Sequence, residues 1–216
     1  KVVKWVYSLD INNFKIHLYA ECGVIYIASI NGYLDIVKWV YSLNQNKFNY
    51  YIKKNAIINA CKYGHLEVAQ WLYSLLPENI IISEEINEVF HIVCKKGYFD
   101  IIKWFYLIDP ELNIHISNEF AFRWACEKGH IEYVKWIYSL DPDNINIHAK
   151  HDYAFFWACY FGDLNTAKWL YSISTRNINL HEPFYVASFK KRTKTAIWLI
   201  QIGFVPHTHH SQYSYY

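Results

Sequence analysis

The stretch ACEKGHIEYVKWIYSLDPDNINIH, from Ala125 to His148, is the fullest copy of a phrase that recurs along the chain. Its Trp136 is one of seven tryptophans at positions 5, 39, 71, 104, 136, 169 and 198, separated by 34, 32, 33, 32, 33 and 29 residues. A fixed period of this size marks one supersecondary unit stacked on copies of itself, because a unit so small cannot bury its own apolar face. The 216 residues hold between six and seven such units, and no linker rich in glycine, serine or proline interrupts them. One continuous domain is therefore predicted.

Two helical segments and an arm can be separated within the phrase. Ala154-Phe155-Phe156-Trp157-Ala158-Cys159 is apolar and compact, and Gly162 ends it. The same glycine returns as Gly32, Gly64, Gly97 and Gly129, seven residues before each tryptophan; just past a helix, glycine supplies the left-handed backbone of a tight turn. Ala28, Ala60, Ala125, Ala158 and Ala187 keep a matched position small, with Val93 once in their place, so neighbouring first helices can approach. After the glycine, Ile131, Val134, Ile137 and Tyr138 recur at helical spacing. Pro77, Pro110 and Pro142, each six residues after a tryptophan, close this second helix. Beyond it, Asn-Ile-Asn-Ile-His or a relative alternates polar and apolar residues, which predicts an extended finger.

Composition narrows the function classes. With 53% hydrophobic and 19% aromatic residues a sizeable core is available, and disorder is excluded. A net charge of +2, from 21 basic and 19 acidic residues, argues against a dedicated nucleic-acid binder, whose affinity comes from displaced counterions. No apolar run approaches the roughly 18 residues of a membrane span. The opening KVVKWVYSL matches the second half of a unit, not a signal peptide, and the chain contains no methionine, so a fragment of a longer protein is expected. Cys61, Cys94, Cys126 and Cys159 hold one equivalent position in successive units, while Cys22 stands outside the pattern. Stacked helices lie about 8–10 Å apart, too far for a bridge, so these four are expected to be buried thiols in a reducing, intracellular compartment.

The pattern resembles the ankyrin repeat, a unit of two antiparallel helices and a hairpin finger. The match is strongest at Gly64-His65-Leu66-Glu67-Val68-Ala69 and Gly129-His130-Ile131-Glu132-Tyr133-Val134. It departs at the start of the first helix. The family's Thr-Pro-Leu-His is replaced there by Tyr153-Ala154-Phe155-Phe156 and Phe120-Ala121-Phe122-Arg123, and only Pro183 and His91 remain of it. The Lys-Trp-Leu/Ile-Tyr-Ser wording and the abundance of Asn, Ile, Lys and Tyr are similar to the divergent ankyrin repeat proteins of giant DNA viruses of amoebae (mimivirus-like). The resemblance implies an all-α solenoid of paired antiparallel helices with short β-hairpin fingers, over residues 1–205. A partial unit at 1–22 precedes units starting near 23, 55, 88, 120, 153 and 182, and 206–216 form a tail. Lys190, Lys191, Arg192 and Lys194 give the last unit the polar face of a C-terminal cap.

Most recurring residues are expected to serve the fold. The tryptophans read as packing positions and not as stacking platforms. The lysines before them (Lys4, Lys38, Lys103, Lys135 and Lys168) follow Asp35, Asp100 or Glu132 at the spacing of surface ion pairs in three units. His65 and His130 belong to the Gly-His turn. His17, His115, His148 and His181 recur once per arm, where local hydrogen bonding is expected. His207, His209 and His210 lack a cysteine or carboxylate at ligand spacing, so no metal, cofactor or small-molecule substrate is expected. No phosphate loop or nucleophile constellation stands apart from the repeat, and no catalytic activity is expected.

What remains is the concave face, which the resemblance places at the end of each first helix and in the fingers. The helix-end positions are Ile30 and Asn31, Lys62 and Tyr63, Lys95 and Lys96, Glu127 and Lys128, and Tyr160 and Phe161. Of these, Lys62, Tyr63, Lys95, Lys96, Glu127, Lys128, Tyr160 and Phe161 are the expected partner-binding residues. Ser117, Asn118, Glu119, Lys150, His151 and Asp152 are the expected finger rim. The expected function is a non-enzymatic, monomeric scaffold binding a partner protein, a host protein in the cytoplasm if the source is viral. Nucleic-acid binding through the lysine–tryptophan ladder or the 190–194 cluster is one alternative, and a purely structural spacer array is the other.

Overall fold

Four copies of one burial pattern organise the first helices. Ala56, Ile57, Ala60 and Cys61 are buried together, as are Val89, Phe90, Val93 and Cys94, then Ala121, Phe122, Ala125 and Cys126, then Ala154, Phe155, Ala158 and Cys159. Positions i, i+1, i+4 and i+5 lie on one stripe of a helix, and the small alanines let the next helix pack closely. The second helices answer with Val37 and Val40, Ala69 and Leu72, Ile102 and Phe105, Val134 and Ile137, and Ala167 and Leu170.

The computed structural model describes residues 18–43, 45–77, 83–174 and 178–206. Lys4, Trp5, His17 and the His207, His209 and His210 tract lie outside the described residues. The first compact unit runs to Leu112 and the second begins at Asn113. In the first, α1 (Leu18–Ile30), α3 (Tyr50–Lys62) and α5 (Ser83–Lys96) are first helices, followed by α2 (Leu34–Leu43), α4 (Leu66–Tyr73) and α6 (Phe99–Ile108). The second has α7 (Ile116–Glu127), α9 (Ala149–Phe161) and α11 (His181–Phe189), each followed by its partner: α8 (Ile131–Leu140), α10 (Leu164–Ile173) and α12 (Thr193–Gln201). Each first helix packs on its own second helix and on the next first helix of its unit.

The turn between paired helices is set by the glycine. Gly64, at φ 86°, donates to the Cys61 carbonyl (3.2 Å), and His65 donates to that of Ala60 (2.9 Å). These two bonds close the helix C-terminus and satisfy its orphan carbonyls. The same pair forms at Gly97 and Tyr98, at Gly129 and His130, and at Gly162 and Asp163. In the last repeat Lys191 takes the position with φ 57°, a strained conformation for a residue with a Cβ.

The fingers differ from the sequence expectation. Among the described residues there is no strand, so the alternating arms are turns, not β-hairpins. Asn113, Asn146 and Asn179 each accept the backbone N–H two residues on (2.9, 3.0 and 2.9 Å), bending the chain locally. Meanwhile Ile114, Ile145 and Ile178 turn inward and are buried. A period of two can thus arise from a turn that alternately uses and buries its side chains.

Candidate functional site

Four tryptophans of the column clasp neighbouring second helices within their units. Trp71 meets Tyr41 edge-to-face at 5.5 Å, Trp104 meets Tyr73 at 5.5 Å, Trp169 meets Tyr138 at 5.4 Å and Trp198 meets Tyr171 at 5.8 Å, all within a few degrees of perpendicular. Each tyrosine lies two residues after the tryptophan of the preceding repeat. The serine that follows returns its hydroxyl to the tryptophan carbonyl, at 2.7 Å for Ser42, 2.6 Å for Ser74 and 2.7 Å for Ser139 and Ser172. The recurring Trp-x-Tyr-Ser wording is a packing device that engages the indoles. Lys38, Lys103, Lys135 and Lys168 are exposed beside it, with Lys38 lying over the Trp71 ring at 5.9 Å.

A second device covers the turn glycines. The His65 ring lies where a Cβ on Gly32 would be, and its Nε2 pairs with the Ile30 carbonyl at 2.8 Å. The Tyr98 ring covers Gly64, and Arg192 covers Gly162 while donating to the Tyr160 carbonyl at 3.2 Å. The Lys62 carbonyl, which matches that of Ile30, accepts instead from Lys96 Nζ at 2.8 Å. His65 is therefore a structural residue, and Lys96 is partly committed to the fold.

At the helix ends of the first unit, Tyr63, Lys95 and Lys96 are exposed and Lys62 is half-buried. Lys96 Nζ lies over the Tyr63 ring at 4.6 Å. In the second unit Glu127 is half-buried and accepts the Tyr153 hydroxyl at 2.8 Å. Burial, and then that bond, push the Tyr153 phenol up to about 12. Lys128 is exposed and lies over Trp124 at 5.0 Å.

The densest aromatic grouping gathers at the end of α9. Phe161 stacks on Trp157 at 5.6 Å and 26°, and Tyr160 packs on Trp157 at 4.8 Å and on Phe161 at 5.0 Å. Phe161 remains 46% exposed, and Phe189, at the end of α11, is 80% exposed. Lys190 joins them, 4.7 Å from the Tyr160 ring centre and 5.6 Å from that of Phe189. Sequence reading singled out Tyr160 and Phe161 but not Trp157 or Phe189. The missed signal was aromatic residues at matched positions of adjacent first helices.

The rim residues divide sharply. Ser117, Asn118, Lys150 and His151 are exposed, Asp152 is half-buried, and Glu119 is buried. Both triplets form one turn of left-handed helix, with φ of 53°, 57° and 60° from Ser117 to Glu119 and 56°, 58° and 58° from Lys150 to Asp152. Such a backbone costs roughly 1–2 kcal/mol per residue. Buried Arg123 holds the first turn by donating to the Asn118 carbonyl (2.7 Å) and the Ser117 carbonyl (3.0 Å). His115 Nδ1 meets Glu119 at 3.1 Å, and His148 Nδ1 meets Asp152.

Asp152, His148 and Ser174 connect in the order acid, imidazole, hydroxyl, with Ser174 Oγ 3.2 Å from His148 Nε2. One repeat earlier the third place is held by Asp141, which meets His115 Nε2 at 3.2 Å. A carboxylate there cannot serve as the hydroxyl nucleophile, so the shared feature is a clasp between fingers. Among the described residues no group of three His, Cys, Asp or Glu side chains could hold a metal ion.

Residues 25–113 and 90–182 match the family model described as "Ankyrin repeats (3 copies)". The chain belongs to the ankyrin repeat family. Comparison with curated proteins returns no match. Ankyrin repeats are in general protein–protein interaction modules. At the signature's first position this ankyrin chain has Tyr153, whose hydroxyl donates to Glu127 of the preceding repeat, and Arg123 of that repeat lies 4.9 Å from the Tyr153 ring centre. None of the described helices is long and apolar enough to cross a membrane.

Proposed function

We propose that the protein is a non-enzymatic ankyrin scaffold that captures a partner protein, with its principal anchor on the second unit at Trp157, Tyr160, Phe161 and Phe189. The partner segment carries an apolar or aromatic anchor flanked by acidic residues. One observation carries this reading: an aromatic cluster at the helix ends in which Phe161 and Phe189 are exposed and Trp157 and Tyr160 half-buried, with the cation Lys190 set against Tyr160 and Phe189. Rigid aromatic side chains supply large contact area at little entropic cost and are common interface anchors. Exposed Lys191, Arg192 and Lys194 extend the positive edge.

Lys62, Tyr63, Lys95 and Lys96 offer a second contact area on the first unit, weaker because Lys96 already serves the Lys62 carbonyl. Ser117, Asn118, Lys150 and His151 are solvent-facing contacts on the fingers. Four buried, unpaired thiols suit a reducing intracellular setting. The residue wording suits a giant-virus source with a host protein as the partner. Nucleic-acid stacking on the indoles is disfavoured because the tryptophans face tyrosines of the neighbouring repeat.

Selection from a random peptide library on the full chain tests this. Binders are expected to carry an aromatic or aliphatic residue between acidic ones, and to be lost on the Tyr160→Ala/Phe161→Ala double variant with helical content unchanged. Enrichment of basic peptides, or of binders indifferent to that variant, would reject the site.

A further inference from the structure

His115 carries a carboxylate on each of its ring nitrogens. Nδ1 lies 3.1 Å from both oxygens of Glu119, and Nε2 lies 3.2 Å from Asp141 Oδ2. A neutral imidazole has one N–H and one lone pair, so it can donate to only one of these acids and must turn its lone pair on the other. Only the imidazolium satisfies both. At His148 the acid Asp152 sits on Nδ1 but the hydroxyl of Ser174 sits on Nε2, and a hydroxyl can donate to a lone pair. The two clasps have the same architecture and differ in the proton they require.

The His115 clasp joins elements that are separate in sequence. Glu119, with 8% of its side chain exposed, closes the left-handed turn and also accepts the N–H of Asn146 in the next finger at 3.4 Å. Asp141, at the end of α8, also accepts from the Asn144 amide at 2.9 Å. Glu119 from α7 and Asp141 from α8 are the charged groups on the ring. Arg123 of α7 is turned onto the Ser117 and Asn118 carbonyls, and Asp152 of α9 is taken up by His148.

We propose that His115 is a proton-operated staple between the α7 finger and the next one, holding the strained Ser117–Glu119 turn while protonated and loosening it when the proton leaves. The exposed Ser117 and Asn118 ride on that turn, so their presentation to a partner becomes pH-dependent. Partial burial opposes the charged ring, but Glu119 and Asp141 outweigh it and hold the His115 pKa above its ordinary 6.5. With the folded value raised, the contribution is complete below the unfolded pKa and is lost as pH rises through the folded one.

The test is an NMR titration of the His115 ring in the full chain, with amide exchange at Asn146 and Glu119 corrected for the intrinsic pH dependence of exchange. The ring is expected to titrate above 6.5, and the protection of both amides to fall across the same midpoint. Asp141→Ser installs the residue type found at position 174 and is expected to lower the midpoint. His115→Gln, which can donate and accept without titrating, is expected to abolish the pH dependence of protection. A wild-type midpoint at or below 6.5, a midpoint unmoved by Asp141→Ser, or protection that still falls with pH in His115→Gln would each overturn the proposal.

Discussion

Removing one ring of a Trp–Tyr clasp should cost more than the loss of that ring's burial alone. Trp169 is half-buried and meets Tyr138 at 5.4 Å and 89°, with Phe122 on another side at 6.4 Å. Truncating a fully buried tryptophan costs about 3–5 kcal/mol, so a half-buried one should cost about 2–3 kcal/mol. Edge-to-face pairs add about 0.5–1.5 kcal/mol beyond area burial. The single variants Trp169→Ala and Tyr138→Ala should therefore not be additive: the double variant should lose less than their sum by about 1 kcal/mol, the coupling of contacting residues. Urea unfolding followed by circular dichroism reads all three, and Tyr138→Phe, which keeps the ring, serves as the control. A coupling below about 0.3 kcal/mol would mean that the rings are merely adjacent, which would refute the clasp as the reason for the Trp-x-Tyr wording.

Three further outcomes follow from single positions. Lys191→Gly keeps the positive φ of an exposed turn position but relieves its Cβ strain, and should stabilise the chain by about 0.5–1 kcal/mol in thermal or urea melts, whereas destabilisation would contradict the turn assignment. Gly64→Ala combines a positive φ with a Cβ 2.8 Å from the Tyr98 ring, and should cost about 2–3 kcal/mol; Gly129→Ala meets only Asp163 Oδ2 at 3.4 Å and should cost about 1 kcal/mol, an order that the same melts can invert or uphold. Burial pushes Cys61 up to about 12 and raises Cys94, Cys126 and Cys159 as well, so native chain at pH 8 should leave these four unalkylated and urea-unfolded chain should not, as peptide mass spectrometry would show.

The helices were legible because each signal has one dominant physical cause. A glycine such as Gly64 recurs where the chain needs a left-handed turn, and Ala60 recurs where two helices touch. The fingers were less legible because alternation has two causes. Ile145 alternates with Asn146 through a side-chain-capped turn, not through a pleated strand. The left-handed triplets contain no glycine, and although Asn118, His151 and Asp152 are of types that tolerate positive φ singly, nothing in Ser117-Asn118-Glu119 or Lys150-His151-Asp152 announces three in a row. Glu119 has the sequence character of a solvated rim residue, yet it is buried because His115 and the Asn146 amide reach it across the turn. The helix-end residues Tyr160 and Phe161 were readable from the family's geometry. Their floor, Trp157, and the neighbouring Phe189 emerged only once adjacent first helices were brought together.

The central claim rests on the aromatic cluster of α9 anchoring a partner. Calorimetric titration of a library-selected acidic–aromatic peptide into wild type and the Tyr160→Ala/Phe161→Ala variant tests it directly. A rise in Kd of about thirtyfold, the loss of a contact near 2 kcal/mol, is predicted with the helical signal preserved. A Kd changed by less than about twofold, well under 1 kcal/mol, would contradict the account.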